Sequence, residues 1–466
     1  MRKTARVYSG ASPEQVARDL APLVAFQDKG LRLSALEDLL QTRLVPHLMR
    51  YDRPAFQSMF NTFLEEGAAL GARLALEYNQ GVTNWQVSPG GAMLEELCCQ
   101  ALCRLFGLAG SADATFMLAG TYANQQAIYM ALHRHAEQEG FGLHEEGVLG
   151  FRDPKRLVVI VSRDAHFSLR HAVRTIGLGE QCLVTLELDE DRRVDIAHME
   201  ETLDRLSKTK DVFCVVATAG TTSTGSVDPL RPMAELSKEA GAWFHVDGAY
   251  GLAYGLVPEW GGRFDGMELA DSMSWDPHKQ LRVPIPSSVL FAGRREDLKR
   301  MALFASYFNR QSDVEPNPGL KSMPSTRPFA ALSLVTSLRH LGMDKVREIL
   351  RSPLVAIRTL AHYMRSQADL ELAHQPDTGI LCFRVTPPQV PEEQLNALQL
   401  AIHSRIVEDG RRSISVTRLD GKVVLRLVAV SPEVTAEALI ETVEVVRALA
   451  RRSQNQDNGS SPPCQR

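Results

Sequence analysis

Apolar positions recur with a helical period through the first part of the chain, where Gly and Pro are scarce. The pattern predicts helices over Ser34–Leu44 and Phe56–Tyr78, with Pro46 and Pro54 punctuating the stretch between them. A loop over Asn79–Pro89 leads into a helix at Met93–Phe106. From Ala114 the pattern changes, and short apolar runs alternate with helical segments. Strands are predicted at Leu157–Val161, Val212–Thr218, Trp243–Val246, Ser272–Ser274 and Val289–Phe291. Helices are predicted at Tyr122–Glu139, Ala197–Lys208 and Pro232–Ala240. Such alternation implies an α/β fold, a mostly parallel sheet covered by helices. Val289–Phe291 follows its predecessor too closely for a helical crossover, so it is expected to pair antiparallel.

Residues 305–328 are rich in Pro, Ser and Asn and read as a long loop before a helix at Phe329–His340. The remainder reads as a smaller α/β unit, with strands at Ile380–Val385 and Val423–Val428 and a last helix at Thr435–Arg451. The organisation expected is an N-terminal helical segment, 1–80, that packs a dimer; a large unit, 81–344; a small C-terminal α/β unit, 345–452; and a disordered polar tail, 453–466.

Composition narrows the classes. A net charge of −4 gives no global attraction to nucleic acid or to anionic membranes. No apolar run is long enough to cross a bilayer, and the basic start MRKTARVYSG lacks the apolar stretch of a secretory signal. The seven cysteines are odd in number and mostly sit in apolar segments, which reads as reduced thiols in a cytoplasmic protein. Cys98, Cys99 and Cys103 lack zinc-knuckle spacing, and no metal is expected.

Five segments carry candidate chemistry. In DSMSWDPHKQ, beginning at Asp271, a short strand ends at a turn bearing Lys279. Open α/β sheets bind ligands at such strand ends. Partial burial and cationic surroundings would free that amine of its proton near neutral pH, while a solvated surface lysine is the plain alternative. In WFHVDGAYG, beginning at Trp243, an apolar strand ends in Asp247. A buried carboxylate needs a partner, which a protonated ring nitrogen would provide; Gly248 and Ala249 leave room for a flat ring. A helix N-cap is the competing role for Asp247. LAGTYANQQA opens a helix with small residues, and the free N–H groups there suit a phosphate. ATAGTTST is a hydroxyl-rich loop or a simple turn, and SRDAHFSLRH places His166 after a strand, in a functional or a structural role.

Order and spacing join these pieces. HVDGAYG, ADSMSWDPHK and ATAGTTSTGSVDPL together resemble the group II decarboxylases of amino acids, which depend on pyridoxal 5'-phosphate (PLP). The resemblance runs from about Pro46 to Arg451 and leans toward the glutamate and cysteine-sulfinate branch. It implies PLP fold type I (aspartate-aminotransferase-like), a homodimer with shared active sites, and decarboxylation of a small L-amino acid to its amine. By position, Lys279 matches the Schiff-base lysine, Asp247 the partner of the pyridine nitrogen and Ala249 the small residue against the ring. His166 matches the histidine stacked on the ring. Gly120, Thr121 and His278 match phosphate-end positions, and Thr222 a cofactor-contacting threonine. Arg426 matches an arginine that in some members meets the substrate carboxylate, with a structural arginine as the even alternative.

Departures from the family bear on the chemistry that comes after cofactor binding. Counting back from Arg327 without gaps, the loop tyrosine that protonates the substrate carbon falls on Pro316, which has no proton to give. Tyr307 lies nine residues away. Gln280 stands where the family has tryptophan, and Met59 stands where glutamate decarboxylases have a substrate-contacting glutamine. These changes leave open another PLP-dependent lyase or an aldehyde-forming oxidative deamination, and, from a different class, a non-catalytic binding protein on the same fold.

Overall fold

The computed structural model describes residues 6–305, 309–310 and 315–458, without the side chains of 453–458. Tyr307 and Cys464 lie outside the described residues. Compactness divides the chain into two units, one of Thr62–Leu354 with His374–Thr378, the other of the residues up to Asn61 with Val355–Ala373 and the chain from Gly379. The N-terminal segment is thus cut at Asn61, where the sequence pattern places a boundary at residue 80.

The larger unit is built on seven strands: β1 (Asp113–Met117), β2 (Leu157–Ser162), β3 (Leu183–Leu186), β4 (Asp211–Thr218), β5 (Trp243–Asp247), β6 (Ser272–Trp275) and β7 (Ser288–Ala292). Their order across the sheet is β1-β7-β6-β5-β4-β2-β3. Strands β2 to β6 pair in parallel. Strand β7 runs antiparallel to both β6 and β1, as its short link to β6 requires. Strands β1, β2, β5, β6 and β7 are buried throughout, the signature of a sheet covered on both faces. Ile128 and Leu132 of the helix Gly120–Glu139 pack with Val159, Val161, Val216 and Trp243 in one core.

Two strands of this sheet escape the sequence pattern. Strand β1 is a five-residue run opening on Asp113, and β3 is a four-residue, half-exposed edge. Helix Phe56–Tyr78 needs correction: only Glu66–Tyr78 is helical. Its N-cap is Glu65, whose carboxylate accepts from Gly67 N at 2.9 Å and Ala68 N at 2.8 Å. Helix Phe329–His340 is the first part of Ala330–Arg365, interrupted at Gly342, where φ is 69°.

The other unit carries an antiparallel sheet of β8 (Leu370–Leu372), β9 (Ile380–Val385), β10 (Ser415–Leu419) and β11 (Lys422–Val428), ordered β10-β11-β9-β8. Leu381, Phe383, Leu425 and Leu427 pack with Ile402 and Ile406 of helix Glu392–Asp409 and with Leu439, Val443 and Val446 of helix Ala436–Asn458. That last helix passes Arg451 and enters the stretch read as tail, which has no Gly or Pro before Gly459. Phe56 forms a parallel bridge with Ser413, Gln57 N donates to Ser413 O at 2.8 Å, and Val428 N donates to Gln57 O at 2.9 Å. These tertiary partners keep residues 56–58 out of a helix despite their helical apolar spacing.

Candidate active site

Because β1 is antiparallel to β7, it points the same way as β2 to β6, and the C-terminal ends of β1, β2, β4, β5 and β6 open on one edge. A cavity of about 130 Å³ lies there. Its lining includes Gly120, Thr121 and Asn124 after β1, His166 after β2, Thr218 and Thr222 at β4, Asp247 and Ala249 at β5, and Asp276, His278 and Lys279 after β6. Eight of the expected site residues therefore converge. Arg426 and Met59 belong to the other unit. There Arg426 Nη1 donates to Ser58 O at 2.9 Å and Ser415 Oγ at 2.8 Å, and its guanidinium lies 5.1 Å from the Phe60 ring centre. Met59 is half exposed.

Lys279 sits on a tight turn, with its N–H donating to Asp276 O at 3.0 Å. Its Nζ is 3.0 Å from Asp276 Oδ2. This carboxylate stands where the sequence reading expects cationic surroundings, because the turn folds residue 276 back onto residue 279. Asp276 also accepts from Ser288 Oγ at 2.6 Å. His278 Nδ1 donates to Ser287 O at 2.5 Å, and burial pushes the pKa of this ring down.

Asp247 is buried and caps no helix. Its Oδ2 accepts from Asn124 Nδ2 at 2.8 Å, and its Oδ1 accepts from Ser274 Oγ and Ala249 N, each at 3.2 Å. His166 Nδ1 accepts from Ser168 N at 3.2 Å, which leaves the proton of a neutral ring on Nε2. Burial keeps that ring neutral by lowering its pKa. In the hydroxyl loop, Thr221, Thr224 and Ser226 bond one another at 2.8–2.9 Å and tie the loop together. Thr222 instead lines the cavity.

The residues present fit PLP. The helix Gly120–Glu139 has no side chain capping its N-terminus, so the first N–H groups are available to a phosphate. Gly120 leaves space that a side chain would fill: a Cβ there would lie 3.0 Å from Asp276 Oδ2 and 3.1 Å from Ala249 Cβ. Thr218 Oγ1 is buried in the cavity wall with no hydrogen-bond partner among the described residues. Asp247 places a buried carboxyl group in the same cavity.

Asn124 and Asp276 escaped the sequence reading. Asn124 lies four residues after Gly120, on the same helix face, and Asp276 lies within the lysine motif itself.

A seven-stranded sheet of this topology, gathering a lysine and an aspartate at one edge, is that of an α/β enzyme of PLP fold type I. The chain belongs to the family of the pyridoxal-dependent decarboxylase conserved domain, whose model matches residues 13–386. It is 29% identical over 385 residues to an L-2,4-diaminobutyrate decarboxylase of Acinetobacter baumannii, spanning 80% of this chain and 75% of that one. It is 27% identical to an aromatic-L-amino-acid decarboxylase of Bacillus atrophaeus, spanning 81% and 77%. In fold it is similar to the glutamate decarboxylase domain of diaminobutyrate-pyruvate transaminase and L-2,4-diaminobutyrate decarboxylase from Vibrio parahaemolyticus. The TM-score is 0.86 at 23% identity, covering 97% of this chain and 92% of that one. The chain is thus a PLP-dependent enzyme of the carboxy-lyase class. Among the described residues, no helix is long and apolar enough to cross a membrane.

Proposed function

We propose that this chain removes the carboxylate of a small L-amino acid as CO2 at the cavity holding Lys279 and Asp247. The observation that carries this reading is the meeting of an amine and a buried carboxylate in one cavity, beside an uncapped helix start. PLP, when bound, supplies an aldehyde that reacts with amines and a ring that draws electrons from the breaking bond. Lys279 is the amine that holds the aldehyde carbon. The Asp247 carboxylate keeps a proton on the ring nitrogen. Gly120, Thr121 and His278 would hold the phosphate, Thr222 would touch the cofactor, and the small side chain of Ala249 would leave room for the ring. His166 would lie beside the ring and offer Nε2–H to the substrate carboxylate. Buried walls exclude water, so these groups act in a low dielectric.

Pro316 leaves the returned proton to the cavity itself, where Lys279 and His166 are the carriers. Arg426 is tied to Ser58 and Ser415, which supports its structural role. The exposed apolar side chains Leu76, Tyr78 and Leu97 support a homodimer, and the buried, reduced thiols of Cys98, Cys99 and Cys103 support the cytoplasm.

The test is an amino-acid panel read by mass spectrometry and CO2 release. L-2,4-diaminobutyrate leads the panel, in line with the relatives, followed by aspartate, cysteine sulfinate and aromatic amino acids. The expected result is one amine per CO2, with Lys279→Ala abolishing turnover and the absorbance of the bound cofactor while keeping the thermal midpoint. Aldehyde, ammonia and peroxide in place of the amine would overturn the simple decarboxylation. Unchanged turnover in Lys279→Ala would overturn the site.

A further inference from the structure

Asp247 is held in turn by residues that do not all reach the cavity. Asn124 gives one amide hydrogen to Asp247 Oδ2 at 2.8 Å and the other to Ser168 Oγ at 2.9 Å. Its Oδ1 therefore has only an acceptor's role, and it lies 3.0 Å from His245 Nε2. The reverse amide orientation would set two oxygens 2.8 Å apart, so the polarity is fixed by the carboxylate. Nε2 of His245 must then carry the proton. Nδ1 is left as an acceptor, and Ser272 Oγ lies 2.8 Å from it. The Ser272 carbonyl, 3.2 Å from the same nitrogen, would suit an Nδ1–H instead. The hydroxyl is the shorter partner, and it accepts from Trp243 Nε1 at 2.8 Å, which leaves its own hydrogen to donate to the imidazole. His245 is fully buried, which disfavours an imidazolium with both nitrogens protonated.

We infer that Trp243, Ser272, His245 and Asn124 form one directed hydrogen-bond chain that positions the Asp247 carboxylate for the ring nitrogen of the cofactor. The four are positioning residues. The inference rests on the assignment of Asp247 proposed above. Every member of the chain donates toward the carboxylate, so each bond polarises the next and the last N–H reaches Asp247 as a stronger donor. The links come from three elements: β5 gives Trp243 and His245, β6 gives Ser272, and the helix Gly120–Glu139 gives Asn124, whose second hydrogen is held by Ser168 at the start of the helix Ser168–Ile176. The carboxylate is thereby registered against the sheet on one side and the phosphate-binding helix on the other. A histidine on β5 suits the middle link because a neutral imidazole both donates and accepts.

The experiment uses the holoenzyme and two readouts. Solid-state 15N NMR of histidine-labelled protein, with the His245 signal identified by its loss in His245→Gln, is expected to show a neutral ring protonated at Nε2. The cofactor dissociation constant is expected to rise about tenfold in His245→Phe, which fills the space without the bonds. His245→Gln, which can still donate to Asn124, recovers most of that loss. Ser272→Ala, the milder variant should His245→Phe fail to fold, gives a smaller loss in the same direction. A ring protonated at Nδ1, or at both nitrogens, would overturn the inference. So would wild-type retention in His245→Phe and Ser272→Ala alongside weakened retention in Asp247→Asn. Wild-type retention in Asp247→Asn would instead remove the underlying assignment, and the inference with it.

Discussion

Two buried aspartates flank the middle of the large sheet, and they are held in opposite ways. Asp247, at the end of β5, is fixed mostly by side chains, Asn124 and Ser274, and it faces the cavity. Asp228, beyond β4, accepts from two backbone groups, Thr218 N at 2.7 Å and Val194 N at 3.0 Å. Its own N–H returns to Thr218 O at 3.0 Å, so the pair closes the base of the hydroxyl loop. Backbone donors come with the chain path, so Asp228 clasps a fold. Side-chain donors can be placed independently of the path, so Asp247 can be aimed at something that is not protein.

The comparison breaks most sharply with paired substitutions. Asp247→Ala should lower kcat by about a thousandfold while lowering the thermal midpoint less than Asp228→Ala does, because two of its three donors are side chains that can turn to other partners. Asp228→Ala should do the reverse. It strands two buried N–H groups, costs about 2–4 kcal/mol of stability, and lowers the midpoint more than the turnover of the folded enzyme. Calorimetry and steady-state kinetics on both variants decide the matter. Equal stability losses would dissolve the distinction.

A second effect is a pH dependence. Burial pushes the Asp228 carboxyl up to about 7, well above its ordinary value. Between about pH 4 and 7 the folded protein then holds a proton that the unfolded chain has released. The stability contributed by this group is full below that window and is lost as pH rises through it. Asp228→Asn lacks the titration. The stability of wild type relative to Asp228→Asn should therefore fall by about 1–3 kcal/mol from about pH 4.5 to 7.5 in denaturant melts. A constant gap would place the titration elsewhere. The smallest effect is expected from Ser274→Ala, which removes one 3.2 Å donor from Asp247 and should weaken cofactor retention by about two- to fivefold in equilibrium dialysis.

Much of this was legible in the chain. Strand β9 is predicted with its observed ends, and β2, β4, β5, β6, β7 and β11 to within a residue at either end, because all but β6, with its two serines, are near-continuous apolar runs. The Lys279, Asp247 and His166 motifs declare themselves because each lies at or just past the end of a predicted strand. Strand β3 was hidden because an edge strand need not be apolar, and β1 because it is short and begins with a charge. Phe56–Glu65 misled because its apolar spacing is helical while its hydrogen-bond partners are distant in sequence. Asn124 and His245 were invisible as a pair for the same reason: they are 121 residues apart, and only the folded sheet makes them neighbours.

The distant partners of residues 56–58 have a consequence for how the protein is made. Ser58 Oγ meets Ser413 Oγ at 2.5 Å across a separation of 355 residues. On a ribosome adding about 5–20 residues per second, that partner emerges about 20–70 s later. During that interval the seven strands of the large sheet all emerge, the last ending at Ala292, well before Ser413 does. The smaller unit can close only near the end of translation. Slowing elongation late in the message should therefore lengthen the time for which Phe56 and its neighbours are open to chaperones and proteases, without delaying the sheet that carries Lys279.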